Sequence, residues 1–165
     1  MELFLIFFVL SFVVTGLHLY RDKQARTGRR IAEILLLWLL VIYVGLSGMW
    51  AFIGHTLFAE QVAESIGWPA GNPFQTEVAV ANLTVGALGI LCYWIRDNFW
   101  TAAVIATSIW LLGAATIHVI EIVGASNYNP GNAGLIFLLD ILSPLLLIVL
   151  LIYTGLHKKQ PTGQA

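Results

Sequence analysis

Five apolar runs dominate this chain: Leu3–Leu19, Ile31–Gly54, Glu77–Ile95, Phe99–Val123 and Ala133–Leu156. Each is close to the roughly 20 residues that a helix needs to cross a bilayer. In hydrocarbon a helix bonds its own backbone N–H and C=O groups, which runs of this length require. The five spans leave little of the 165 residues for a soluble domain. Only 10% of the residues are charged, against roughly 25% in an ordinary soluble domain. The expected fold is all-α, a polytopic membrane protein whose residues 1–165 form a single transmembrane domain. Its simplest arrangement is an up-down four-helix bundle with the N-terminal helix packed against its side.

The basic residues orient these spans. Arg21, Lys23, Arg26, Arg29 and Arg30 lie between the first two runs, Arg96 between the third and fourth, and Lys158 and Lys159 after the fifth. These are all eight Lys and Arg residues, and alternation of the spans puts them on one side. The positive-inside rule makes that side cytoplasmic, with the N-terminus outside and the C-terminus inside. The first run has no basic segment before it, which suits a retained anchor better than a cleaved signal. Cys92 is the single cysteine, so neither a disulfide framework nor a thiolate metal motif is available. Glu33 is expected to pair with Arg29 one turn back. His18 and His157 fall at the cytoplasmic ends.

The short turn Arg96-Asp97-Asn98 predicts that the third and fourth helices are antiparallel neighbours. Gly45, Gly48, Ala81, Gly86, Gly89 and Gly113 offer close helix contacts. The outer connections carry more information. Phe58, Val62 and Ile66 recur every four residues, which predicts an interfacial helix over residues 57–66, with Trp68 as a headgroup-level anchor. Asn72-Pro73-Phe74-Gln75 reads as an N-cap, proline at N1 and Gln at N3 of the third span. Both outer hairpins run histidine, acid, glycine, Asn-Pro and then an acid inside the next helix. His55, Glu60/Glu64, Gly67, Asn72-Pro73 and Glu77 correspond to His118, Glu121, Gly124, Asn129-Pro130 and Asp140, although the spacings differ.

The remaining ionisable groups gather on the outer side. His55 ends the second helix, Glu77 is one turn into the third, and His118 and Glu121 are in the last turns of the fourth. Asp140 is about seven residues, or roughly 10 Å, into the fifth. No Lys or Arg shares that side, so buried carboxylates there must pair, take up a proton or bind a cation. His118 and Glu121 stand at i and i+3 and share a helix face. Pro144 removes the helical donor to the carbonyl of Asp140, unless Ser143 or a water replaces it. Helical bundles bind metal ions through carboxylates and histidines on facing helices. His118, Glu121, Asp140, Glu77 and His55 are therefore candidate ligands for a divalent ion, with Fe, Mn or Zn better suited than Cu(I). Glu60 and Glu64 are secondary cation-binding candidates. The bland alternative is that these groups only hydrogen-bond to neighbouring helices, Asn127 or Asn129.

The runs Gly54-His55, IGWPAGNPFQTEV at Ile66–Val78, ANL at Ala81–Leu83, and NPGNAG followed by Asp140 and Pro144 resemble a family of small bacterial membrane proteins catalogued only as a domain of unknown function. The resemblance covers most of the chain after the first helix. It implies a bacterial inner-membrane protein of this topology and supplies no activity, ligand or catalytic residue.

Three functions are consistent with these residues. The preferred one is a His/carboxylate site in the outer leaflet that binds a metal ion, as a redox or hydrolytic centre. The second is a proton- or cation-coupled carrier, in which a homo-oligomer supplies the path that one small chain lacks. The third is a non-catalytic component that packs on a larger partner or binds lipid. The lipid bilayer is the one certain partner and no nucleic acid is expected. No H-E-x-x-H, P-loop or nucleophile motif marks a reaction, so no catalytic residue is assigned.

Overall fold

The computed structural model describes residues 2–24 and 26–156. His157, Lys158 and Lys159 lie outside the described residues. Helix α1 is Glu2–Arg21, α2 is Gly28–Leu57, α3 is Ala59–Ile66, and α4 is Phe74–Leu91. Helix α5 is Asn98–Ala125, α6 is the single turn Pro130–Ala133, and α7 is Leu135–Leu156. Five stretches are long and apolar enough to cross a membrane: α1, α2, α4, α5, and α6–α7 as Pro130–Gly155. The five expected spans are therefore present, with ends displaced by a few residues.

Local chemistry sets those ends. Thr27 accepts the Arg30 backbone N–H at 3.2 Å and caps α2, and Arg29 Nε meets Glu33 Oε1 at 2.9 Å as the spacing predicts. Asn72 Oδ1 accepts the Phe74 N–H at 2.9 Å, but the N-cap position of α4 is Pro73, one residue later than expected, and carries no side-chain cap. Helix α3 forms as the apolar periodicity requires and ends at Gly67, whose φ of +86° suits a residue without Cβ. In α1, Ser11 and Thr15 bond the carbonyls of Phe7 and Ser11, so the anchor satisfies its own hydroxyls.

The middle of α2 departs from the expected helix. Leu39–Leu46 forms a π-helical segment, in which each N–H reaches one residue further back. Sequence periodicity does not mark such a segment, because apolar residues surround it on all sides. It lies at a close approach of α2 to α4. A Cβ on Gly89 would come within 2.6 Å of the Leu40 carbonyl oxygen, and one on Gly48 within 2.6 Å of Gly86 Cα. Gly45, Gly48, Gly86 and Gly89 thus make the α2–α4 seam. Gly113 differs from expectation, with nothing within 4 Å of its Cβ position.

The most extensive contacts pair the second half of α2 with α4, and α5 with α7. The α4–α5 contact, expected to be close, is slight. These helices meet near their turn, where Trp100 Nε1 donates to the Cys92 carbonyl at 2.9 Å, and again where Trp110 Nε1 donates to Asn82 Oδ1 at 3.1 Å. A cavity explains the gap. At the basic end of the molecule, by contrast, Leu36, Leu39, Leu40, Val44, Val104 and Leu147 close into a buried apolar core.

Candidate functional site

The cavity has a volume of about 550 Å³ and lies between the α2–α4 and α5–α7 pairs. Residues of α3, Trp68 and Gly131 border it at the end remote from the basic residues. Its wall is mostly apolar, and of the four titratable side chains that line it, Tyr43, His55, His118 and Asp140, the last two come from the facing helices α5 and α7. Both are buried, with residue exposures of 6% and 7%.

The imidazole of His118 is held on several sides. Its Nδ1–H donates to Asn132 Oδ1 at 2.7 Å. Asn132 is itself fully buried, and its Nδ2 donates to the carbonyls of Asn127 at 2.8 Å and His118 at 3.4 Å. Because the amide nitrogen is committed to two carbonyls, the amide oxygen must face the ring, and the ring must present its proton at Nδ1. The other nitrogen, Nε2, points at Asp140 Oδ2 from 3.7 Å. Trp68 stacks nearly parallel to the ring at 6.5 Å and Phe137 meets it edge-on at 6.2 Å. Trp68 is thus a wall of the site.

The expected five-residue set does not converge. His118 and Asp140 face each other, but Glu121 turns towards Asn127, whose Nδ2 lies 3.4 Å from Glu121 Oε2. His55 reaches the cavity, yet its Nδ1 bonds Gln75 Oε1 at 2.6 Å. Glu77 is exposed, and the inward residue at that turn is Gln75, only 3% exposed. Glu60 and Glu64 are exposed on α3, the solvated helix face. Among the described residues no three His, Cys, Asp or Glu side chains form a group suited to hold a metal ion. The helical phase explains the turning away of Glu77: the step of two positions from Gln75 to Glu77 rotates the carboxylate about 200° away from the amide.

Several site residues carry no sequence signal. Asn132 holds the site's geometry together with Asn127, the one of the two that the sequence offers as a partner, and Asn127 Nδ2 also donates to the Ile66 carbonyl at 2.9 Å, tying the two outer connections together. Asn132 lies in the NPGNAG run, but no periodicity or motif rule marks a buried asparagine. Ser47 and Thr107 line the cavity with hydroxyls that are buried and have no hydrogen-bond partner among the described residues. Ser143, by contrast, donates to the Leu139 carbonyl at 2.7 Å, so its hydroxyl is not the replacement donor for Asp140.

The model of a family of unknown function, DUF6790, matches residues 1–160, and the chain belongs to that family. No curated protein and no solved structure matches it.

Proposed function

We propose that this member of a family of unknown function is a multi-pass protein of a bacterial inner membrane that holds an amphipathic ligand in its outer half, with His118 and Asp140 as the polar anchor. In this reading the spans form an up-down bundle with α1 at its side. The positive-inside rule sets the basic end in the cytoplasm and the cavity towards the periplasm. The observation that carries the reading is the cavity of about 550 Å³ with the buried His118 imidazole and the buried Asp140 carboxyl group in a mostly apolar wall. That volume is within the range of small-molecule pockets, which combine apolar walls with a few placed polar groups. Ionisable groups at such depth are costly, and are usually found where a ligand or proton is handled.

The metal reading loses support because only His118 and Asp140 of its five residues face one another. The carrier reading has to cross the apolar core at the basic end, where Leu36, Leu40, Val104 and Leu147 are almost completely buried. A path through one chain is not favoured by that packing.

The test is mass spectrometry of the protein purified gently from membranes, beside the cavity-filling variant Ala114→Phe. A small amphipathic species should stay bound to the parent protein and be lost from the variant. The reading fails if no bound species distinguishes the two and no membrane lipid extract raises the melting temperature of the parent protein above that of the variant.

A further inference from the structure

We propose that the ligand of this cavity carries a primary ammonium group, seated between His118 Nε2 and Asp140 Oδ2, with its apolar body along the cavity. This rests on the ligand-binding reading above and adds the chemical class of the ligand. The argument begins with the tautomer. Asn132 fixes the His118 proton on Nδ1, so a neutral imidazole turns a lone pair at Nε2 towards the Asp140 carboxylate. With Asp140 ionised, two acceptors then face each other across 3.7 Å, whereas a protonated Asp140 would bridge them with its own O–H; the ammonium is the cation that holds the ionised form. A direct charge-assisted N–H···O bond would close to roughly 2.7–2.9 Å. The separation instead leaves room for a donor lying beside the line between the two atoms, about 2.8 Å from each.

The group that fits must donate twice and bring positive charge. Among the described residues no Lys or Arg lines the cavity, and the other titratable side chains in its wall are Tyr43 and His55. His55 Nδ1 is already bonded to Gln75. A hydroxyl brings one donor and no charge. A phosphate or carboxylate repels Asp140, and a quaternary ammonium has charge without an N–H. A primary ammonium has three N–H donors and one positive charge, which satisfies both acceptors and neutralises the carboxylate. The faces of Trp68 and Trp110 in the wall suit a cation as well.

A second observation points to an occupant. The Ser47 and Thr107 hydroxyls line the same cavity, are at least nine-tenths buried and lack partners among the described residues. Thr107 lies eleven residues from His118 on α5, roughly 16 Å along the helix. A ligand body that spans this distance meets those hydroxyls with an ester or ether oxygen. An aminophospholipid headgroup and a single-chain amine share the required ammonium.

The test uses the whole protein in detergent, titrated with phosphatidylethanolamine, phosphatidylcholine and phosphatidylglycerol of the same chains, and with dodecylamine and dodecanol. Melting temperature and bound mass are the readouts. Phosphatidylethanolamine should bind roughly tenfold or more tightly than the other two phospholipids, and Asp140→Asn should remove that preference while Asp140→Glu restores it. Dodecylamine binding as well as phosphatidylethanolamine identifies the amine alone as sufficient, and weaker dodecylamine binding identifies the phospholipid headgroup; both support the proposal. Equal binding of dodecanol and dodecylamine, with phosphatidylglycerol matching phosphatidylethanolamine, overturns the ammonium but leaves ligand binding standing. Failure of every amphiphile to bind, in the parent and in Ala114→Phe alike, overturns the ligand-binding reading itself.

Discussion

Asp22 and Asp140 are equally covered, each with a side-chain exposure of 10%, yet they are treated differently. Asp22, at the basic end, meets Arg30 Nη2 and Nε at 2.9 Å and accepts the Gln24 N–H at 3.0 Å. Among the described residues, the ion-pair partner of Asp140, at the other end, is His118 Nε2, at 3.7 Å. A permanent guanidinium completes the first carboxylate; the second is left with an imidazole whose proton is held on its far nitrogen. The chain therefore supplies a counter-charge where it does not need a ligand and withholds one where a cavity opens.

The largest predicted effect breaks the scaffold common to both ends. Gly48→Leu forces a side chain against Gly86 Cα and the Asn82 carbonyl, both within 2.7 Å of its Cβ position. It should destabilise the protein by about 3 kcal/mol, the upper part of the range for overpacking. Thermal unfolding in detergent checks this. A change below 1 kcal/mol means that the α2–α4 seam is not the rigid support on which both aspartates depend.

Next comes the residue that fixes the tautomer. Asn132→Ala removes the acceptor of His118 Nδ1 and the donor to the Asn127 carbonyl from a fully buried position. Leaving such groups unsatisfied should cost about 2 kcal/mol. Gln75→Ala removes the matching acceptor from His55, whose imidazole is half-buried and better placed to find water. Its cost should be about 1 kcal/mol. The ¹⁵N chemical shifts of the His118 ring sharpen the point, because loss of Asn132 should release the proton from Nδ1. Equal costs and unchanged shifts would reduce the two histidines to the same structural role.

These elements also show where the sequence is legible. The five long apolar helices, α3 and the Arg29–Glu33 pair all follow from local patterns, since length, periodicity and i,i+4 spacing act within one helix. His118 and Asp140 were visible because charge is conspicuous in an apolar run. The rejection of Glu77, Glu121 and His55 from the pair was not, because it depends on rotations of separate helices about their axes. The π-helical segment of α2 changes that phase from within, which no 3.6-residue periodicity anticipates. Asn132, Ser47 and Thr107 escaped notice because small uncharged polar residues are common throughout membrane helices.

Asp140→Asn should have a smaller effect on stability, and one of opposite sign. It removes a buried ionisable group whose ion-pair partner among the described residues is His118 Nε2, at 3.7 Å, and retains the side-chain volume. The ligand-free protein should gain about 1 kcal/mol, as buried ionic groups replaced by neutral ones often do. The same variant should lose bound ligand, so stability and binding move in opposite directions. A loss of stability comparable to Asn132→Ala would show that Asp140 is a structural partner of His118 like any paired residue.

Asp22→Asn should give the smallest effect at pH 7, confined to the basic end and reduced by added salt, because the pair is close to water. Its signature is in the pH dependence. The Gln24 backbone N–H, followed by the Arg30 side chain, holds the Asp22 carboxyl below the ordinary carboxylate range. A carboxyl with a lowered folded value contributes stability that is complete above its unfolded value of about 3.9 and is lost as pH falls through the folded one. The difference in stability between the parent protein and Asp22→Asn should therefore be constant from pH 7 to pH 5 and shrink below pH 4. Ligand binding in the distant cavity should be the same for both across that range. A change in binding on removal of Asp22 would couple the two ends, and the contrast between a self-sufficient carboxylate and an open one would no longer hold.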